Sequence, residues 1–244
     1  MTDAVNEYPA TETKLMSPWS MLVNVLFSPT RVFQAAKEKP KWAVPAIVII
    51  VLLALNAILI APMTNQIGID MIQKSDRLTD AQKAEIIQGM KEQGPIAMAK
   101  SAVGTAVFLF IVWLIGAGLS TLFGNVMFSA GLRFVHYFVI MVLSFSPWVI
   151  GAIVKTPLMM AKNDVDIRTS LAVLSSSPIV GNIGLTLLNT FTDVFILWTI
   201  CLIVLGIKTM SGLSLFKSVT VVAPTVILFI LVVFGSTALM KMVM

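Results

Sequence analysis

The sequence predicts an all-α fold, a polytopic integral membrane helical bundle of five transmembrane helices with an amphipathic N-terminal interfacial helix. Three observations predict it. Only 12% of the 244 residues are charged, about half the share a soluble domain carries, and the mean hydropathy is +0.93. Five apolar runs, at 43–61, 101–123, 134–154, 186–207 and 218–240, approach or exceed the roughly 20 residues that cross a hydrocarbon core of about 30 Å. Such runs are too long and too uniformly apolar for barrel strands, which alternate over about ten residues.

Residues 1–17 are polar and acidic (Asp3, Glu7, Glu12), so they read as a disordered tail rather than a cleavable signal peptide. Residues 18–42 form the interfacial segment. Within it Ser28 and Pro29 mark a helix start, as N-cap and first-turn proline. Arg31, Lys37, Lys39 and Lys41 are candidate contacts to the membrane surface, and Trp42 is a candidate interface anchor. The alternative is a helix packed on the bundle. Residues 43–244 make one five-span domain.

Between the first two spans, Thr79-Asp80-Ala81-Gln82 has the form of a capping box and predicts a surface helix to about Glu92, with a narrow stripe of Ile86, Ile87 and Met90. Gly94-Pro95 then breaks the chain. Residues 171–185 are apolar but interrupted by Ser175, Ser176, Ser177, Pro178, Gly181 and Gly184. Broken backbone at membrane depth is tolerated where protein or water satisfies it, so this piece reads as re-entrant or interfacial.

Five spans place the termini on opposite sides, and the 17 Lys and Arg divide eight to nine between those sides. Cations next to span ends dominate orientation. Four of them precede Ala43 within twelve residues, whereas none follows Ala61 until Lys74. This predicts a cytoplasmic N-terminus and an extracytoplasmic C-terminus. The basic cluster meets lipid headgroups in this reading, so nucleic acid is not expected as a partner. With one cysteine (Cys201, read as a small buried residue) and one histidine (His136, read as an interfacial side chain facing headgroups or a helix partner), disulfides and multi-histidine or multi-cysteine metal sites are excluded. No phosphate loop, zinc motif or nucleophile elbow is present. The chain reads as non-enzymatic, with no cofactor.

Asp193 is the one acidic residue inside a predicted span, and Asn189, four residues earlier, would share its helix face. Intramembrane carboxylates usually face the bundle interior. The pair is the candidate intramembrane polar site, either binding a cation or proton or serving as a hydrogen-bonded link between helices. Pro147 and Pro224 predict kinks. Gly116, Ser120 and Gly124, with Gly118, offer small-residue spacing for close packing, internal or across a homodimer.

Phe27-Ser28-Pro29-Thr30-Arg31-Val32-Phe33, followed by Lys39-Pro40-Lys41-Trp42, resembles the segment leading into the first span of bacterial Yip-one domain proteins. Tyr137 and Pro147 in the third span, Thr192-Asp193-Val194-Phe195-Ile196-Leu197-Trp198, Leu205-Gly206-Ile207-Lys208 and Gly212-Leu213-Ser214-Leu215 continue the likeness to about Met240. The resemblance implies a five-helix bundle in the bacterial inner membrane. Eukaryotic relatives are implied to bind Rab-type GTPases, but their Asp-Leu-Tyr-Gly-Pro motif is absent here, so no GTPase-binding residue is carried over. The expected function is recruitment of a membrane or cytoplasmic protein, or organisation of the bilayer, through the N-terminal segment. The alternative is a small transporter or permease subunit using Asp193 and Asn189.

Overall fold

The computed structural model describes residues 16–92, 94–177, 179 and 182–243. The tail 1–15 lies outside them, as do Pro178 and Gly181. The described residues form ten α-helices and no strand: α1 (Pro18–Phe27), α2 (Pro29–Glu38), α3 (Ala43–Lys74), α4 (Asp80–Glu92), α5 (Gly94–Leu122), α6 (Phe134–Ser144), α7 (Ser146–Lys162), α8 (Ile183–Thr192), α9 (Val194–Ser211) and α10 (Leu215–Val243). A π-helical turn at Phe123–Met127 extends α5, and a 3₁₀ turn at Leu171–Leu174 precedes α8. Five helical stretches are long and apolar enough to cross a membrane, counting α6 and α7 as one.

The span count agrees with the sequence, but the boundaries do not. α3 runs past the expected Ala61 through Pro62 to Lys74, about 48 Å at 1.5 Å per residue. Together with the start of α5 it forms a stalk longer than the hydrocarbon core. The surface helix α4 caps that stalk. Its capping box is present: the Thr79 N–H donates to Gln82 Oε1 at 3.0 Å, and the Gln82 N–H to Thr79 Oγ1 at 3.4 Å. α4 lies against α3, where Asn65 Nδ2 donates to the Met90 carbonyl at 3.4 Å.

The third span reaches Lys162 rather than Val154 and breaks at Phe145. Pro147, in the first turn of α7, has no N–H to donate and its ring crowds the carbonyl four residues back, so the helix restarts there. Pro224 leaves α10 helical throughout. The expected fourth span, Thr186–Ile207, is two helices separated at Asp193. α9 ends at Gly212, whose φ of 75° lies in the left-handed region that glycine enters without a side-chain clash.

The third span is the axis of the bundle. Of its most apolar 18 residues 72% are buried, against 17% to 39% in the other four spans. Gly124 packs beneath Tyr137, whose hydroxyl occupies the space a β-carbon there would need. Gly116 faces Met141 and Thr225, and Ser120 is fully buried. The small-residue face of α5 therefore packs internally, while Gly118 points into open space. Cys201 is exposed on the outer side of α9, because the buried stripe of that helix runs through Leu202, Ile203, Gly206 and Ile207 instead. The expectation of a buried cysteine is corrected.

Candidate functional site

Asp193 is the N-cap of α9, at a break between two helices rather than inside one. Its Oδ1 accepts from the N–H groups of Phe195 (2.9 Å) and Ile196 (3.3 Å), two donors that a helix start leaves without intrahelical partners. Its Oδ2 accepts from Lys155 Nζ and Thr169 Oγ1, both at 2.6 Å. Four donors converge on one carboxylate that is 3% exposed. Lys155 comes from α7 and was expected just beyond the third span. Its ammonium also lies 5.5 Å from the centre of the Phe195 ring. Phe195 fits there because residue 151 is glycine: a β-carbon would approach the ring to 3.1 Å.

Asn189 and Asp193 do not share a helix face, since the chain turns between them. Both nevertheless line one cavity of about 270 Å³, together with Asn56, Lys155, Thr156 and Trp148. Asn189 Oδ1 accepts from Ser170 Oγ at 2.7 Å, and Asn56 Oδ1 accepts from Thr156. Asn56 lies about 21 Å along α3 from Trp42. That distance is shorter than the roughly 30 Å thickness of a hydrocarbon core.

The segment over this cavity is held by Arg168, for which no sequence signal stood out. Its guanidinium donates to the carbonyls of Ala172 (2.8 Å), Ser175 and Ser177 (2.7 Å) and pairs with both oxygens of Asp166. That pairing holds the Asp166 carboxyl below the usual carboxylate range. The arrangement satisfies carbonyls of a segment without regular helix and turns Leu171, Val173 and Leu174 outward.

At the other end of the bundle, α1 and α2 form a strap across α6 and α9. Met21, Val25, Val32, Phe33, Ala35 and Ala36 are buried beneath it. Phe33 reaches Gly206, where a β-carbon would lie 3.1 Å from Phe33 Cε1 and 2.7 Å from Ile140 Cγ2. His136 is 8% exposed, so of its two readings the helix partner is the one its burial fits. Its Nδ1 accepts from the Arg133 N–H at 3.1 Å, and the ring also bonds the backbone of Lys37, which ties the end of α2 to the start of α6. Trp42 meets Phe138 edge to face, with centroids 5.2 Å apart. Arg31, Lys37, Lys39 and Lys41 are all exposed, as are Trp19, Val23 and Phe27.

A family model described as the Yip1 domain matches residues 23–237, which takes in most of the strap and, but for the end of α10, the five spans. The chain belongs to the Yip1 domain family. No curated protein and no solved structure matches it. As a Yip1 domain protein with five span-length apolar helices, it is a multi-pass membrane protein, and the family is not an enzyme family. Among the described residues no group of three or more His, Cys, Asp or Glu is placed to hold a metal.

Proposed function

We propose that this Yip1 domain protein is a non-enzymatic membrane organiser and adaptor, and that the strap is its working surface. The single observation that carries this reading is the division of the strap into two faces. The apolar face of α2 is consumed by the bundle, so α2 is not a free amphipathic helix, while α1 leaves Trp19, Val23 and Phe27 exposed. The four cations, two on α2 and two just after it, are exposed. A cluster of basic residues held beside a span favours anionic lipid by about 1 kcal/mol per cation near the surface and suits an acidic protein partner equally. In this reading the N-terminus is cytoplasmic, the C-terminus extracytoplasmic, and the membrane a bacterial inner membrane.

The test is in-cell crosslinking followed by gentle-detergent purification, comparing the intact chain with one in which Arg31, Lys37, Lys39 and Lys41 are replaced by Gln. A stoichiometric partner lost only from the charge variant supports recruitment. Equal capture by both chains contradicts it. Deleting the strap is a poorer experiment, because Phe33 would leave a hole against Gly206 and Ile140.

A second reading is favoured by the cavity at the α8–α9 break. Helices interrupted at membrane depth, with a half-helix N-terminus aimed at a polar group, form substrate sites in transporters. A small transporter or permease subunit would use Asp193 and Asn189 there. Solute flux into liposomes that is abolished by Asp193→Asn supports this reading; the absence of flux from the intact protein removes it.

A further inference from the structure

Three cavities in the membrane half of the bundle meet at one side chain, Trp148. The first is the polar cavity of about 270 Å³ beside Asp193. The second, about 410 Å³, lies between α3 and α5 and shares Asn56 and Trp148 with the first. The third is a crevice of about 70 Å³ between α5, α7, α9 and α10, shared through Trp148 and Ile196. Its lining is apolar except for Thr199 and Thr225, and Thr199 already donates to the Phe195 carbonyl at 2.9 Å. Phe108, 47% exposed, forms a lip common to the second and third cavities.

We propose that these adjoining spaces hold one phospholipid of the surrounding bilayer, part of one acyl chain in the crevice and its ester and phosphate oxygens at Trp148 and the polar cavity. The hydrogen-bonding inventory selects the occupant. Trp148 Nε1 is buried and has no hydrogen-bond partner among the described residues, and the same holds for Thr225 Oγ1. An indole N–H can only donate, so it needs an acceptor. Asp193 already receives four donors, and its charge is matched by Lys155, so the pair leaves little net charge to draw a free ion. Asn56 and Asn189 use their amide oxygens on Thr156 and Ser170, which leaves their amide nitrogens for the cavity. The free groups are therefore donors beside an apolar slot. Water suits the polar cavity, but the crevice is otherwise apolar. Its only unpartnered polar atoms among the described residues are Trp148 Nε1 and Thr225 Oγ1, the least of the two to four partners a stable buried water needs. A chain with oxygen acceptors at one end fits both compartments.

The experiment is native mass spectrometry of the full chain, released from detergent after delipidation and titrated with dioleoyl phosphatidylcholine or dioleoyl phosphatidylglycerol. One tightly held lipid is expected. Trp148→Phe keeps an aromatic ring and removes the donor, and should weaken that binding about fivefold to tenfold. Val226→Phe, which fills the crevice, should weaken it comparably, while Trp19→Phe on the strap leaves it unchanged. Size-exclusion profiles and melting curves establish that the variants are folded. Both lipids carry the same ester and phosphate oxygens and differ in net headgroup charge, so a site of neutral donors should bind them equally. No retained lipid, or a lipid indifferent to both substitutions in folded protein, overturns the proposal and leaves water as the occupant.

Discussion

The two ends of this bundle are built on opposite principles. Under the strap the interior is filled: Phe33, Tyr137, Ile140, Ile207 and Met210 are each fully buried, and a glycine admits the largest of the contacts. Around Asp193 the interior is hollow, and its walls carry a Lys–Asp pair, two asparagines and an indole with an unused donor. The filled end holds a charged surface still. The hollow end keeps a buried carboxylate satisfied by giving each of its oxygens two donors. A rigid platform and a receptive cavity thus occupy one chain without sharing side chains.

The comparison breaks most readily at Phe33. Phe33→Ala removes a buried ring from the filled end and should cost about 3–5 kcal/mol, read as early thermal unfolding in detergent and as protease access to α2. Trp148→Phe, a conservative change at the hollow end, should cost less than about 1.5 kcal/mol by the same melting assay. Equal losses at the two sites would erase the distinction.

Asp193→Ala strands Lys155 without its counter-charge and should destabilise the fold by about 3 kcal/mol. Adding Lys155→Met should restore part of that loss, because no unpaired charge then remains. A double variant no more stable than the single one would mean that the N-cap, rather than the pair, carries the effect.

Gly206→Ala comes next. The added carbon crowds Ile140 and Phe33 and should cost about 1–3 kcal/mol, and combining it with Phe33→Leu should relieve the strain. Melting temperatures of the two variants decide the point.

Acid sharpens the comparison more gently. The Arg168 guanidinium holds the Asp166 carboxyl below its ordinary value of 3.8, so the folded state releases that proton more readily than the unfolded chain does. The pair's contribution is therefore complete above about pH 4 and is lost as pH falls through the lowered folded value. Amide exchange across 164–177 should accelerate in that window while α2 stays protected.

Much of the fold was legible in the sequence, and the exceptions have physical reasons. Five spans were readable because an uninterrupted apolar run of membrane length is seldom anything but a span. Their ends were not, since α3 stays helical through polar residues once α4 and α5 pack against it. Asp193 was found as a charge out of place, but its partner was not. Lys155 is 38 residues away in sequence and sits one residue past the expected end of its span. The helix break had a visible signal: Thr192-Asp193 ahead of an apolar run is also an N-cap sequence. Arg168 had none, because its partners are carbonyls, which every residue carries. Of the two readings offered for the strap, bundle packing describes the buried face of α2; headgroup contact is what we propose for the exposed one.

The most direct measurement is the lipid composition retained around the protein in nanodiscs made from equal anionic and zwitterionic phospholipid, for the intact chain and for the variant with Arg31, Lys37, Lys39 and Lys41 changed to Gln. The account predicts anionic enrichment around the intact chain, its loss in the variant, and melting within about 0.5 kcal/mol of the original, as expected for surface positions. Identical lipid shells around the two proteins would contradict it.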